Sequence, residues 1–264
     1  MDFKLTGKTA LVTGSTAGIG FATAKLLAKE GADVYINGRT KERIEAAIKQ
    51  VKEEVPMASI QGIAADFSKD NDVKNIIREL PDVDILINNI SIFNPKPFVD
   101  ITDEEWLNFY EVNVLSGIRL SRHYLPKMLT KNWGRIIFIS SESAINIPEE
   151  MIHYGMTKTA QLAISRGLAE LTKGTAVTVN SILPGPTESE GSGKFLEQMA
   201  KQQNKTGDQI EKEFFQHGRP TSLLQRFAST DEIANLIVYV ASPLSSATNG
   251  SALRVDGGVV KTIV

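Results

Sequence analysis

Tyr154 and Lys158 stand four residues apart in Tyr154-Gly155-Met156-Thr157-Lys158, and Leu162, Ile164, Leu168 and Leu171 continue the stretch with helical period. On a helix the two share one face. A phenol titrates near about 10, too high for proton transfer at neutral pH, but a neighbouring ammonium and a second cation both favour phenolate. Bringing it to about 7 takes roughly 4 kcal/mol of differential stabilisation, within reach of two positive charges in a partly desolvated site. YxxxK alone is common in helices, so the pair needs support from elsewhere. Ser141, which closes the apolar stretch Arg135 to Ser140, is a candidate. A hydroxyl at the C-terminal edge of a central strand reaches a ligand oxygen, because open α/β sheets bind ligands at those edges. Ser140 would point to the opposite side of a continuing strand, Ser143 is the second choice, and a serine there can also simply start a turn.

A second constellation lies near the N-terminus. Thr13-Gly14-Ser15-Thr16-Ala17-Gly18-Ile19-Gly20 follows the apolar run Thr9 to Val12 and opens a helical pattern. Without Cβ atoms at Gly14, Gly18 and Gly20 the chain can turn sharply, a pyrophosphate can approach the backbone, and helix N-terminal amides can hold the anion. The same spacing also serves as a tight strand-to-helix connection. The next strand ends Ile36-Asn37-Gly38-Arg39. Dinucleotide folds that take NAD place an acid here for the ribose, whereas those that take NADP place an arginine for the 2′-phosphate. With no acid and Arg39 at the loop start, NADP(H) is expected over NAD(H), against the plainer reading of Arg39 as a solvated loop charge.

These residues need a scaffold that sets them at one edge. Thr9–Val12, 33–37, 59–63, 85–88, 135–139, 177–182 and 253–255 read as seven strands, separated by segments of helical period. That alternation predicts an α/β fold: a single-domain Rossmann-like, doubly wound parallel sheet of about seven strands with helices on both faces. Thr102 with Glu105 and Ser229 with Glu232 form capping-box patterns that start helices. A helix from about 102 to 131 contains Pro126, where a kink or early end is expected. The segment 186–229 lacks a strand signal and reads as a mostly helical insertion, expected to be a mobile lid with amphipathic pieces at 192–203 and 208–217. Its alternative is fixed scaffold. Gly191, Gly193 and Gly207 would be its joints.

Composition narrows the function. The 264 residues include 29 Lys plus Arg and 31 Asp plus Glu, a net charge of −2 that gives no general attraction to nucleic acid or anionic lipid. There is no cysteine, and the three histidines are scattered, so thiolate metal sites and paired-histidine motifs are excluded and no metal is expected. No apolar run approaches the ~20 residues that span a bilayer, and the N-terminus lacks a signal-peptide layout, so a cytoplasmic location is expected.

In their order and spacing these motifs identify the chain as resembling the short-chain dehydrogenases/reductases, the group of about 250 residues with TGxxxGxG and YxxxK, over nearly its whole length. The resemblance implies that Gly14, Thr16, Gly18, Ile19 and Gly20 form the cofactor turn and that Asp66 and Phe67 lie beside the adenine. Asn89 would belong to the NNAG-like segment, and Pro184-Gly185 to the turn over the nicotinamide. Thr187 would meet the carboxamide and Ser189 the pyrophosphate. Asn113, Ser141, Tyr154 and Lys158 would be the catalytic group: Tyr154 exchanges the substrate proton, Ser141 polarises the carbonyl, Lys158 holds the ribose and lowers the phenol, and Asn113 places a water linking Lys158 to solvent. Where the family usually has Ala-Gly, this chain has Ile90-Ser91, which sets two extra side chains beside the adenosine ribose.

The expected activity is NADP-dependent hydride transfer between nicotinamide and a small-molecule carbonyl/alcohol pair. A catalytically silent dinucleotide-binding sensor or scaffold on the same fold is the alternative. Specificity should come from Phe93-Asn94, 142–151 and 186–229. A homotetramer of D₂ symmetry is expected from the resemblance and from the apolar helical faces left after one sheet is covered, and the C-terminal Val259 to Val264 is too apolar to stand in solvent.

Overall fold

A computed structural model describes residues 2–263, with the side chains at 70, 191, 192, 194, 195, 198, 199 and 202 outside that description. The chain runs β1 (Thr9–Val12), α1 (Gly18–Lys29), β2 (Asp33–Gly38), α2 (Lys41–Glu54), β3 (Ile60–Ala64), α3 (Asp70–Glu79), β4 (Ile85–Asn88), α4 (Asp103–Tyr110) and α5 (Ser116–Lys131). It continues through β5 (Gly134–Ile139), α6 (Ile152–Glu170), β6 (Val177–Pro184), α7 (Glu190–Gln203), α8 (Gly207–Glu213), α9 (Thr230–Ala241) and β7 (Ala252–Val255). All seven expected strands are present. The 59–63 segment is shifted by one residue, and β6 runs two residues further than expected, to Pro184.

The strands form one seven-stranded sheet in the order β3-β2-β1-β4-β5-β6-β7, every neighbouring pair parallel. Successive side chains of a strand point to opposite faces, and both faces here are apolar. Ala10, Val12, Ile85, Ile87, Ile137 and Ile139 enter a core shared with α1, α2 and α9. Leu11, Leu86, Ile136 and Phe138, one residue out of step, enter a second core with α3, α5 and α6. The sheet is therefore doubly wound. Its order reverses between β1 and β4, which opens a crevice at their C-terminal ends, where ligands of such sheets bind.

The expected helix from 102 to 131 is interrupted, but not at Pro126. The break is a wider, π-type turn over Glu111–Leu115, and α5 runs through Pro126 to Lys131, ending at left-handed Asn132 with φ 53°. A proline inside a helix costs about 3 kcal/mol. Leu120, Tyr124, Leu125 and Met128 on either side of it are buried, and at roughly 1.5–3 kcal/mol per buried side chain their packing outweighs that cost. The two capping boxes form as expected, at Thr102 with Glu105 and at Ser229 with Glu232.

The segment 186–229 is mostly helical. Its two ends are stitched together by Glu188 N donating to Ala228 O at 2.8 Å and Ala228 N donating to Pro186 O at 2.9 Å. Gly191 and Gly193 lie inside α7 and Gly207 is the first residue of α8, so these glycines are helix residues and not joints between helices.

Candidate active site

The turn after β1 is held from behind. Asn37, the buried penultimate residue of β2, accepts from Gly14 N at 3.1 Å through Oδ1 and donates through Nδ2 to Ile63 O at 3.1 Å. Ser15 N donates to Asn37 O at 2.9 Å, and Ser15 Oγ accepts from Asn37 N at 2.9 Å. With Gly14 and Ser15 N–H engaged, the donors left to face an anion are the first-turn amides of α1, whose N-cap residue Ala17 brings no side-chain acceptor. Gly14 and Gly18 have φ of +59° and +61°, and a Cβ on Gly20 would stand 2.5 Å from Asn89 Nδ2. Thr16 packs its methyl over Gly38, where a Cβ would meet it at 2.5 Å. The glycines are thus required by the turn, and the cradle above it fits a pyrophosphate.

Other residues assigned to the cofactor divide into two groups. Arg39 is exposed directly after β2, and Asp66, after β3, feels its charge although 27 positions separate them. Burial pushes the Asp66 carboxyl up, but the N–H and hydroxyl of Ser68, then Lys69 and Arg39, hold it below the usual carboxylate range. The Phe67 side chain, however, lies in the core, so only its backbone can meet a ligand. Asn89 supports the glycine turn: its Nδ2 donates to Thr13 O and Gly14 O, both at 3.0 Å, and its N–H donates to Thr13 Oγ1 at 2.9 Å. Gly185, after β6, approaches the Asp256 backbone so closely that a Cβ would sit 2.5 Å from Asp256 O, which explains glycine there. Thr187 Oγ1 donates to Gly185 O at 2.9 Å.

A cavity of about 600 Å³ opens beside this group. Ile19, Asn89, Ser141, Tyr154, Lys158, Pro184, Gly185, Thr187 and Ser189 all line it, whereas Arg39, Asp66 and Phe67 do not. The cavity therefore gathers the residues expected at the nicotinamide and the substrate, and those expected at the adenosine lie outside it.

The three serines after β5 have three different tasks. Ser140 Oγ donates to Lys158 O at 2.9 Å and braces α6. Ser143 Oγ donates to Glu142 Oε1 at 3.2 Å. Ser141 Oγ accepts from Ser143 N at 3.1 Å, which leaves its own proton to give, and it is a hydrogen-bond partner of the Tyr154 phenol. Ser141, not Ser143, is thus the serine at the phenol.

Lys158 is buried and its Nζ donates to Ile139 O at 2.9 Å, 5.4 Å from the centre of the Tyr154 ring. Burial lowers the Lys158 ammonium to about 7. For Tyr154, burial is the largest influence and pushes the phenol up to about 12, against the partial relief of Ser141 and Ser91. The protein alone therefore moves the phenol away from neutrality, opposite to the expected direction. Lowering it requires the ammonium in its charged form and a second cation in the cavity.

Asn113 sits in the π-type turn, and its side chain is fully engaged. Its Oδ1 accepts from Ile92 N at 2.7 Å, and its Nδ2 donates to Ile92 O at 2.9 Å and Thr157 Oγ1 at 3.0 Å. Thr157 Oγ1 in turn donates to Tyr154 O at 2.7 Å. Asn113 thus ties the loop after β4 to α6, and its side chain keeps no donor for a water. Ile90 and Ser91 also part company. Ile90 packs toward Gly14, whereas Ser91 lines the cavity beside the Tyr154 phenol rather than the adenosine.

Several residues escaped the sequence reading. Glu142 and Arg219 form a buried ion pair at 2.9 Å in the cavity wall, and Asn37 fills the post expected of an acid. For Glu142 the available signals were its place next to Ser141 and in the 142–151 segment expected to set specificity.

Comparison with known proteins agrees with this geometry. A family model described as short chain dehydrogenase matches residues 8–200. Two uncharacterised oxidoreductases of Bacillus subtilis (strain 168), YvaG and YvrD, are 48% and 47% identical, each over the full length of both chains. The L-sorbose reductase from Gluconobacter frateurii, solved with NADPH and L-sorbose, superimposes with a TM-score of 0.92 at 29% identity, covering 100% of both chains.

Proposed function

We propose, from the premise that this chain belongs to the short-chain dehydrogenases/reductases and is an NAD(P)-dependent oxidoreductase, that it interconverts a small-molecule carbonyl and its alcohol using NADP(H). The observation that carries the reading is the convergence of Ser141, Tyr154 and Lys158 on one cavity, which Pro184, Gly185, Thr187 and Ser189 also line. NADP(H) is supported by Arg39, by the missing acid at the end of β2 and by the NADPH bound in the sorbose reductase.

The first-turn amides of α1 and Ser189 would hold the pyrophosphate, Arg39 the 2′-phosphate, Asp66 the adenine edge, and Thr187 the nicotinamide carboxamide. When bound, the nicotinamide supplies or accepts the hydride at the carbonyl carbon. In reduction, Ser141 turns its hydroxyl from the phenol to donate a hydrogen bond to the substrate oxygen, and the Tyr154 phenol delivers a proton to it. The Lys158 ammonium stabilises the phenolate left behind. Asn113 acts through position, by fixing the Ile92 loop and Thr157 against the helix that carries Tyr154 and Lys158. Gly185, packed against the Asp256 backbone, also lines the cavity.

We further assign the chain to one domain with 186–229 as the arm over the substrate, and to a homotetramer. Val259 and Val260 are packed while Ile263 is 97% exposed, and a neighbouring copy would cover it; Val264 lies outside the described residues. Mixing the protein with NADPH and a panel of ketones, and following the loss of NADPH absorbance, tests the activity. Tyr154→Phe should lower kcat by more than about a thousandfold with cofactor affinity nearly unchanged. A variant that keeps a tenth of wild-type kcat removes Tyr154 from its role.

A further inference from the structure

A buried ion pair is weak evidence for stability, because desolvation of the two charges offsets most of their attraction. The Glu142–Arg219 pair, at 2.9 Å with side chains 4% and 9% exposed, therefore calls for an explanation from its surroundings. Glu142 directly follows Ser141 and opens the short turn Glu142–Ala144. Arg219 ends the turn after α8 and lies within the 186–229 arm, where its N–H donates to Phe214 O at 2.8 Å. One partner thus belongs to the catalytic serine turn and the other to the arm over the substrate, and both line the cavity that Tyr154 lines.

We propose that Glu142 and Arg219 are a positioning pair for the reaction: the ion pair pins the arm to the Ser141 turn, and its two opposite charges set the pH range over which the Tyr154 phenol holds its proton. This rests on the assignment of Tyr154 as the proton-transfer group. Ser141 from the turn after β5 and Ser91 from the loop after β4 are hydrogen-bond partners of the phenol, Lys158 from its own helix stands 5.4 Å from the ring centre, and the charges of Glu142 and of Arg219 from the arm act on it. Glu150, Glu213 and His217 line the same cavity. The Glu142 carboxylate raises the phenol and the Arg219 guanidinium lowers it. Arg219 is itself held on several sides: Nε donates to Glu142 Oε1, Nη1 donates to Gly218 O at 2.7 Å, and Nη1 stands 3.8 Å from Glu150 Oε1.

The sign of each variant follows. Glu142→Gln removes a negative charge and should move the alkaline limb of the reduction profile to lower pH by about one unit, whereas Arg219→Gln should move it up by a similar amount. Arg219→Lys, which keeps the charge, should stay near wild type. A merely structural pair would lower thermal midpoints in all three without moving the limbs in opposite directions. The same titration can be read without turnover from the ring-carbon resonance of Tyr154 in protein labelled at tyrosine, assigned by its loss in Tyr154→Phe. If Glu142→Gln or Arg219→Gln does not fold, Glu142→Asp, which draws the carboxylate back, should lower the phenol in the same sense by a smaller amount. Limbs and resonances that stay put, or that move together, overturn the proposal. Absence of any carbonyl reduction by the wild type would instead sink the functional reading, with the resonance still deciding the pair.

Discussion

Asn113 grips Ile92 by both of its backbone groups, accepting from the N–H at 2.7 Å and donating to the carbonyl at 2.9 Å, across 21 positions of sequence. The grip is possible because the π-type turn over Glu111–Leu115 swings Asn113 off the line of a regular helix. Ile92 lies between Ser91 and Phe93, which both line the cavity, and the Phe93 ring meets the Tyr154 ring edge-on at 6.3 Å. Asn113→Ala should therefore loosen the loop that frames the phenol. We expect a stability loss of about 1–3 kcal/mol, from partly buried groups left unpaired, with kcat reduced more than cofactor affinity. Faster amide exchange at 90–94 would accompany it, and unchanged exchange there would mean that the loop is held by something else.

Arg39 carries the second prediction. If it meets the 2′-phosphate, NADP(H) should bind at least about tenfold more tightly than NAD(H), a difference of about 1.4 kcal/mol. Arg39→Ala should erase most of that gap while leaving NAD(H) affinity unchanged. Equal dissociation constants for the two cofactors in the wild type, by titration, would remove the assignment.

The parts of the fold that could be read in the sequence are those where one physical signal dominates. The strands were legible because both faces of the sheet are buried, so each strand is a short β-branched run. The capping boxes were legible because hydroxyl and carboxylate act within three residues. The π-type turn was not, because it adds one residue to a turn without disturbing the apolar stripe, and Pro126 drew attention to the wrong place. Asn37 was hidden for a different reason: its role depends on Gly14 and Ile63, 23 and 26 positions away, and its own type signals only a turn. Glu142 and Arg219 are 77 positions apart and meet only after the arm has closed on its stem. Pairings of that kind are set by the fold, not by local pattern. Tyr154 and Lys158 were found because four residues on a helix fix their geometry locally, but the direction of the phenol shift depended on burial, which no spacing reveals.

Lys158 links the site to stability through pH. Its ammonium falls from the ordinary lysine range to about 7 in the folded chain, because it is buried with a single carbonyl partner, Ile139 O. Between about 7 and about 10 the unfolded chain keeps a proton that the folded chain has released, so stability should rise with pH across that window. Below it both states are protonated, and the fold carries the full cost of the buried charge. Lys158→Met should flatten this rise and be more stable than wild type at pH 6 by on the order of 2 kcal/mol, while losing turnover. Urea denaturation at several pH values measures it. A wild-type curve without the rise would show that the buried ammonium is compensated.

The arm from 186 to 229 supplies the last prediction. Ile210 and Phe215 are 1% and 3% exposed, and Phe214, Phe215 and Phe227 pack ring against ring at centroid distances of 5.1 and 5.2 Å. Arg219 is pinned to Glu142, and Leu223 N donates to Gly257 O at 2.8 Å. The second half of the arm is therefore packed against the rest of the fold. In α7, Leu196 lines the cavity, while Phe195 and Met199, which the amphipathic pattern also invoked, lie outside the described residues. We expect motion in α7, whose Leu196 lines the cavity, since gating elements are segments that border the site they close. In hydrogen exchange, amides of α7 should exchange quickly in the free protein and become protected when cofactor and a substrate analogue bind. Those of α8 and the turn to Gly218 should be protected in both states. Full protection of α7 in the free protein would make the whole arm a fixed wall, and substrate would then have to enter past Phe93 and Met151.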